Sequence, residues 1–195
     1  MENNKQPYYI FLDIDGTLWD AKFATSIHGY CYYNQTHPKL KQDSINALNV
    51  LLASIENNFD SKLVITSRRR KNLQDCLNYL TENGLVYDKP IYATKVGNSS
   101  RGEKIVDYMV SEGMTPFTFP TLSNVVQKML FNFKNNDFKN YVVLEDEKKL
   151  IKNQIPPART IMANHDSRSL TTKQVVSYLK ANKISAVFET RKEKE

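Results

Sequence analysis

The chain is poor in cysteine and lacks any long apolar run. Cys31 and Cys76 are the two cysteines among its 195 residues, so a disulfide framework or a cysteine metal site cannot form from them alone. We expect each to be a small buried hydrophobic residue. No apolar stretch approaches the roughly 20 residues that a membrane-spanning helix needs. Because the N-terminal MENNKQ is not followed by a signal-type core, we expect a cytoplasmic protein without a membrane partner.

Internal repeats and linker-like segments are also absent from the sequence, which favours one domain over residues 1–195 with a charged tail at 189–195. Hydrophobic residues make up 41% of the chain, and eleven tyrosines are present. This composition is typical of a globular protein and not of a disordered one. The net charge of +6 favours anionic partners such as phosphates or nucleic acid. Because part of that charge lies in runs such as KEKE, it does not define a function by itself.

Two hydrophobic periods alternate along the chain. Short apolar runs predict buried parallel strands, and these cover residues 8–13, 62–66, 91–94, 141–144 and 159–162. Apolar residues at helical spacing predict a helix capped by Asp43 and further helices over residues 70–83, 103–112, 122–133 and 172–182. This alternation indicates repeated right-handed crossovers. The expected fold class is α/β, a three-layer sandwich with a mainly parallel sheet.

Polar residues directly follow three of the predicted strands. These strand ends and the start of a later helix are Asp13-Ile14-Asp15-Gly16-Thr17, Thr66-Ser67-Arg68, Glu145-Asp146-Glu147 and Lys104. Taken singly, each is also compatible with an ordinary turn or a helix terminus. Ligands of open parallel sheets bind beyond the carboxyl ends of the strands, so we expect the four to share one crevice. Two acids, a hydroxyl, a lysine and an acidic cluster suit a divalent metal and a phosphoryl group.

The acids of the first strand end suit a two-step displacement at phosphorus. Asp13 would be the nucleophile that forms an aspartyl-phosphate. Asp15, two residues further on, would protonate the leaving oxygen and then activate water. Gly16 allows the sharp exit from the strand that lets both acids face the ligand.

The other polar residues would hold the metal and the transferred group. Mg²⁺ prefers oxygen ligands, which Asp13, the backbone carbonyl of Asp15 and Asp146 would provide. The Thr66 hydroxyl and the Lys104 ammonium would bind the phosphoryl oxygens and offset the charge that develops in the transfer. The sequence therefore predicts a Mg²⁺-dependent phosphohydrolase.

The motifs DIDGT, VITSR, GEK and VVLED, in this order, resemble the four motifs of the haloacid dehalogenase (HAD) superfamily over about residues 8–152. The resemblance implies a Rossmann-like sheet, Mg²⁺ as cofactor, phosphatase activity and the residue roles given above. Ser67 is an alternative to Thr66, and Lys95 is an alternative to Lys104. Glu145 stands where an aspartate or a glycine is commoner in the family, and it is a further candidate ligand of the metal.

The spaces between the motifs contain no large cap domain. Residues 21–42 would form at most a small flap, in which the aromatic run GYCYYN covers the site or packs in the core. An open site beside a run of arginines suits a bulky anionic substrate, and Ser67, Arg68 and Arg69 are the expected substrate-binding residues. TSRRR and ANHDSRSLT resemble segments of the HAD domains of polynucleotide phosphatases and RNA-repair proteins.

That second resemblance implies nucleic-acid termini or nucleotides as substrates. Arginine and lysine would contact the phosphates of such a substrate, and aromatic side chains would stack on unpaired bases. Alternative substrates are another small metabolite or a phosphoprotein. A different class of function is a non-catalytic HAD-like protein that binds a phosphorylated ligand or a partner, although a pure binder has no need of the second acid, Asp15.

Overall fold

The structure, a computed structural model, describes residues 5–19, 39–112, 140–151, 154–163 and 169–188. Its strands are β1 (Pro7–Leu12), β2 (Asp60–Ile65), β3 (Tyr92–Ala93), β4 (Tyr141–Glu145) and β5 (Thr160–Met162). Its α-helices are α1 (Gln42–Asn58), α2 (Leu73–Glu82), α3 (Arg101–Ser111) and α4 (Thr172–Ala181). Short 3-10 turns cover Arg68–Lys71, Lys148–Leu150 and Pro157–Arg159. None of these helices has the length and apolar character of a membrane span.

The five strands form one parallel sheet in the order β3-β2-β1-β4-β5. β1 is the central strand, with β2 on one side and β4 on the other. The Rossmann-like α/β fold expected from the sequence is therefore confirmed. No large cap lies within the ranges that the structure describes.

Helices cover both faces of the sheet. Alternate side chains of each strand point to opposite sides, and apolar side chains of β1 are buried on both sides. Tyr8, Ile10 and Leu12 of β1 pack in the larger core cluster, to which α1, α2 and α4 contribute. Tyr9 and Phe11 pack in a second cluster, to which α3 contributes. The result is the predicted three-layer sandwich, with α3 on one face and the other three helices on the opposite face.

A cluster of tyrosines ties α4 to the amino end of the sheet. The hydroxyl groups of Tyr8 and Tyr178 are 2.7 Å apart, and the Tyr178 hydroxyl donates to the carbonyl of Tyr141 at 3.0 Å. The Tyr8 ring also packs on Phe59, with 5.1 Å between the ring centroids. The carboxyl end of α4 therefore lies at the edge where the strands begin.

Three predicted helix starts are wrong, and one of them is that of α3, which begins at Arg101 and not at residue 103. Asp43 does not cap α1: the N-cap residue is Lys41, and Asp43 lies in the first turn, where its charge is favoured by the helix dipole. The helix expected from residue 70 begins at Leu73, because the side chain of Asn72 accepts the backbone N–H of Asp75 at 3.3 Å and caps it there.

Several other expectations concern residues outside the described ranges. These are the helix at 122–133, nearly all of the flap at 21–42, the tail at 189–195 and Cys31. Cys76 is described, and it is a free, buried cysteine, as predicted. Burial raises the pKa of its thiol to about 12, so it is suited to packing rather than to reaction.

Candidate active site

One polar residue from each of four neighbouring strands lies at the same level of the carboxyl edge. The register pairs Leu12 with Ile65 and Leu144, and it pairs Ile65 with Ala93. The residues that follow these four in sequence are therefore also level with one another, and all of them are polar. They are Thr94, Thr66, Asp13 and Glu145. We call these four residues the edge row.

Backbone hydrogen bonds continue the sheet ladder into the edge row. The N–H of Asp13 donates to the carbonyl of Leu144 at 3.0 Å, and the N–H of Thr66 donates to that of Leu12 at 2.8 Å. The N–H of Thr94 donates to the carbonyl of Ile65 at 3.1 Å. The backbone of the row is thus as firmly fixed as that of the strands.

The edge row faces α3. Side chains alternate with a period of two residues, and the residues two positions earlier, Phe11, Val64 and Val143, pack in the core cluster beneath α3. Each member of the row is at most 2% exposed. The row therefore forms a buried polar floor between the sheet and the first turn of α3.

Three members of the edge row have a buried oxygen with no hydrogen-bond partner among the described residues. These atoms are Oδ1 of Asp13, Oγ1 of Thr66 and Oγ1 of Thr94. Buried polar atoms are nearly always hydrogen-bonded, and each one left without a partner costs about 1–3 kcal/mol. Three such atoms on adjacent strands indicate a surface that is completed by a polar ligand.

Asp13 is a buried carboxyl group among other acids. Its Oδ2 lies 3.1 Å from Nη1 of Arg101. Burial raises the pKa of Asp13 well above its usual range; Arg101 opposes this rise, and Glu145, Asp146 and Asp15 add to it. A bound cation would favour the ionised form of this carboxyl group.

Arg101, which the sequence analysis did not select, joins Asp13 to Glu145. Its Nη1 lies 2.5 Å from both carboxylate oxygens of Glu145. Glu145 also accepts the backbone N–H groups of Asp146 and Glu147 at 3.1 and 3.0 Å. Burial raises the pKa of Glu145 to about 7, although Arg101 opposes it. Glu145 thus accepts hydrogen bonds from Arg101 and from two backbone N–H groups. Its bonds to Arg101 position the guanidinium beside Asp13.

Arg101, which contacts Asp13, is the first residue of α3. Ser100 and Glu103 form a capping box, in which the Ser100 hydroxyl accepts from the Glu103 N–H at 3.3 Å and the Ser100 N–H donates to Glu103 Oε2 at 2.9 Å. The helix therefore begins at Arg101, and Lys104 lies about one turn further along. The sequence SRGE is a capping-box pattern, and this signal could have identified Arg101.

Asp15 is held by three donors. The Ser67 hydroxyl donates to its Oδ2 at 3.0 Å, Arg69 Nε donates to its Oδ1 at 2.9 Å, and Trp19 Nε1 donates to the same oxygen at 3.1 Å. The Arg69 guanidinium in turn lies over the ring of Tyr79, 4.8 Å from its centroid. Ser67 and Arg69, which were expected to bind substrate, thus contact the predicted acid/base residue.

Arg70 ties the ends of two strands together. Its Nη1 donates to the carbonyls of Thr66 and Ser67, both at 2.7 Å, and its Nη2 donates to the carbonyl of Lys95 at 3.5 Å. Arg68, another expected substrate-binding residue, is exposed beside it. Lys95 is exposed as well, and it contacts Arg70 through its backbone carbonyl.

Three carboxyl groups at this edge fit a metal ion. Asp13, Glu145 and Asp146 each offer an oxygen, and these oxygens lie within 4.8 Å of one another. A Cβ atom at Gly16 would overlap Oδ2 of Asp146, and Gly16 has a φ of +89° that other residues rarely adopt. This set of oxygen donors suits Mg²⁺. Asp15 would contribute its backbone carbonyl, since its carboxylate already accepts hydrogen bonds from Ser67, Arg69 and Trp19.

No family model, curated protein or solved structure matches this chain. The chemistry that the site can perform therefore has to follow from its own residues and from the four motifs. Of the predicted site residues, Asp13, Asp15, Thr66 and Asp146 lie together at the carboxyl edge, as the strand-end argument required. Thr94 and Arg101 are the two additions that the structure makes.

Proposed function

We propose that this chain is a Mg²⁺-dependent phosphohydrolase in which Asp13 forms an aspartyl-phosphate intermediate. The observation that carries the proposal is the state of Asp13: one oxygen contacts Arg101, and the other is buried and has no partner among the described residues. The backbone N–H of Asp13 bonds the carbonyl of Leu144, so the strand end fixes the residue that carries this oxygen. An unpartnered carboxylate oxygen on a fixed residue suits an attacking nucleophile.

The reaction would proceed in two displacements at phosphorus. A carboxylate oxygen of Asp13 forms a bond to phosphorus while the phosphorus–oxygen ester bond breaks, and the leaving oxygen takes a proton from Asp15. Asp15 then removes a proton from water, which attacks the same phosphorus and releases phosphate and Asp13. Ser67 and Arg69 keep the Asp15 carboxyl group oriented for both transfers.

The surrounding groups would stabilise the charge on the phosphoryl oxygens. The Thr66 hydroxyl, which is buried and unpartnered within the described chain, is a donor for one of them. Arg101 is the cation that we assign to the reacting group, in place of Lys104. Asp13, Asp146 and the carbonyl of Asp15 would hold Mg²⁺. The ion would add positive charge where negative charge develops in the transfer.

Nucleotides and nucleic-acid termini are the substrates that we propose. Arg68 and Arg70 directly follow the end of β2, and the charges of both residues act on Lys104 of α3. Such residues contact phosphates without reading bases. The low cysteine content supports the cytoplasm as the location, since disulfides are uncommon there.

A phosphate-release assay tests the proposal. The substrates are oligonucleotides with a 3′ or 5′ phosphate, mononucleotides and sugar phosphates, each with and without Mg²⁺. We expect Mg²⁺-dependent release that Asp13→Asn abolishes and Asp88→Asn preserves, because Asp88 is exposed and stands before β3. If the wild type releases no phosphate from any of them, or if Asp13→Asn stays active, the proposal fails.

A further inference from the structure

The edge row extends beyond the residues that the proposed reaction uses. Thr94 lies two strands away from Asp13, about 10 Å across the sheet. It is 2% exposed, and its hydroxyl has no partner among the described residues. No step of the proposed reaction needs a hydroxyl at this distance from Asp13. Thr94 therefore indicates a ligand that reaches further along the edge than one phosphoryl group.

Arg70 borders the same part of the row, and Lys104 of α3 lies within electrostatic range of Arg70. Arg70 is fixed between the ends of β2 and β3 by its bonds to backbone carbonyls, and its Nε is buried without a partner in the described ranges. Lys104 projects from the first turns of α3, one turn beyond Arg101.

The cations repel one another. Burial lowers the pKa of Lys104, the charges of Arg70, Arg101 and Arg68 lower it further, and Glu103 opposes them. Like charges held together in this way are stabilised by an anion between them.

We propose that Thr94, Arg70 and Lys104 form a second anion subsite beside Asp13, and that the substrate carries a second phosphate there. This inference rests on the proposed function, because it takes the phosphate at Asp13 as the one that reacts. A guanidinium, an ammonium and a hydroxyl are all hydrogen-bond donors, and together they suit a phosphate group. A nucleoside bisphosphate and the phosphorylated end of an oligonucleotide both carry this second phosphate.

Kinetics with matched substrates test the subsite. The substrates are a nucleoside 5′-monophosphate, the 3′,5′-bisphosphate of the same nucleoside and a 5′-phosphorylated dinucleotide. In the wild type we expect a second phosphate to lower KM by about tenfold or more, the range of hydrogen bonds to charged groups. The bisphosphate and the dinucleotide distinguish a free nucleotide from a nucleic-acid end. Equal KM values for all three substrates would overturn the proposal.

Three variants make the test specific. In Thr94→Val and Lys104→Met, the preference for the second phosphate should fall to about twofold or less. Lys180→Met is the matched control and should keep the full preference, because Lys180 lies near the carboxyl end of α4, at the opposite edge of the sheet. Thr94→Val and Lys104→Met remove an unsatisfied group and a repelled charge, so we expect both to fold. An unchanged preference in both would refute the assignment.

A binding experiment separates this inference from the proposed function. Calorimetry without Mg²⁺ measures the affinity of the nucleoside 5′-monophosphate and of its 3′,5′-bisphosphate for the wild type and the same variants. If no substrate is hydrolysed but the bisphosphate binds more tightly through Thr94 and Lys104, the subsite is supported and the phosphohydrolase is not. If hydrolysis occurs without any preference for the bisphosphate in binding or KM, the phosphohydrolase stands and the subsite is wrong.

Discussion

The two ends of the central strand differ in how their own buried polar side chains are satisfied, although Ser61 Oγ and Tyr141 Oη of the neighbouring strands also lack a partner within the described chain. At the amino end, the hydroxyl of Tyr8 meets that of Tyr178, which donates to a backbone carbonyl. At the carboxyl end, Oδ1 of Asp13 and Oγ1 of Thr66 are equally buried and have no partner within the described chain. The first arrangement stabilises the fold, and the second costs stability that a ligand would restore. Unsatisfied polar atoms of this kind are typical of functional sites.

Removal of the Asp13 charge should have the largest effect and should sharpen this contrast. Asp13→Asn removes the proposed nucleophile, so we expect kcat to fall by about 10³-fold or more. The free energy of unfolding should not fall, because a buried and poorly satisfied charge is lost. Phosphate release and urea unfolding measure the two quantities. A variant that loses stability and activity together would indicate that Asp13 is mainly structural.

Arg101→Met tests whether the carboxyl end holds a strained charge arrangement. Arg101 is mostly buried and is the close cationic partner of Glu145 among the described residues, so the variant removes the positive charge beside a buried carboxyl group. We expect the free energy of unfolding to fall by about 3 kcal/mol.

The double variant Arg101→Met/Glu145→Gln provides the control. It removes the unpaired charge, and it should recover most of the lost stability in chemical denaturation. If both variants are equally unstable, the Arg101 side chain contributes through packing and not through its charge.

Gly16→Ala tests the backbone of the metal site, and Gly97→Ala is its matched control. A Cβ atom at position 16 would meet Asp146, and an alanine there would have to keep the positive φ of Gly16. A Cβ atom at position 97 meets nothing within 4 Å. We expect Gly16→Ala to lose about 1–3 kcal/mol of stability and to need more Mg²⁺ for half-maximal activity. Gly97→Ala should change neither quantity. Similar losses in both variants would contradict the assigned role of Gly16.

The smallest effect is expected at the amino end. Tyr178→Phe removes the hydroxyl that bonds Tyr8 and the carbonyl of Tyr141, and it should cost about 1 kcal/mol of stability. It should leave KM and kcat unchanged, since this edge is opposite the site. Thermal unfolding and steady-state kinetics measure both. A change in kcat without a change in stability would contradict the claim that the amino end of the sheet serves stability and the carboxyl end serves activity.

The sequence predicted the part of the site that depends on chain position alone. Asp13, Asp15, Thr66 and Asp146 follow apolar runs directly, and the carboxyl ends of parallel strands meet at one edge. Arg101 could not be separated from Lys104 by periodicity, because residues three positions apart share a helix face, and the contact of Arg101 with Asp13 depends on how α3 packs on the sheet. The contacts of Ser67 and Arg69 with Asp15 depend on tertiary packing. Thr94 depends on β3 lying beside β2, and sheet order was not evident from the sequence.

The most direct test of the central claim is chemical trapping of the phosphorylated residue. The protein is mixed with Mg²⁺ and a phosphorylated oligonucleotide, quenched in acid and reduced with borohydride, which converts an aspartyl-phosphate to homoserine. Peptide mass spectrometry then identifies the reduced residue. We predict homoserine at Asp13, present only when substrate is added. Turnover without any modified residue, or with modification at another aspartate, would contradict the assignment of Asp13 as the nucleophile.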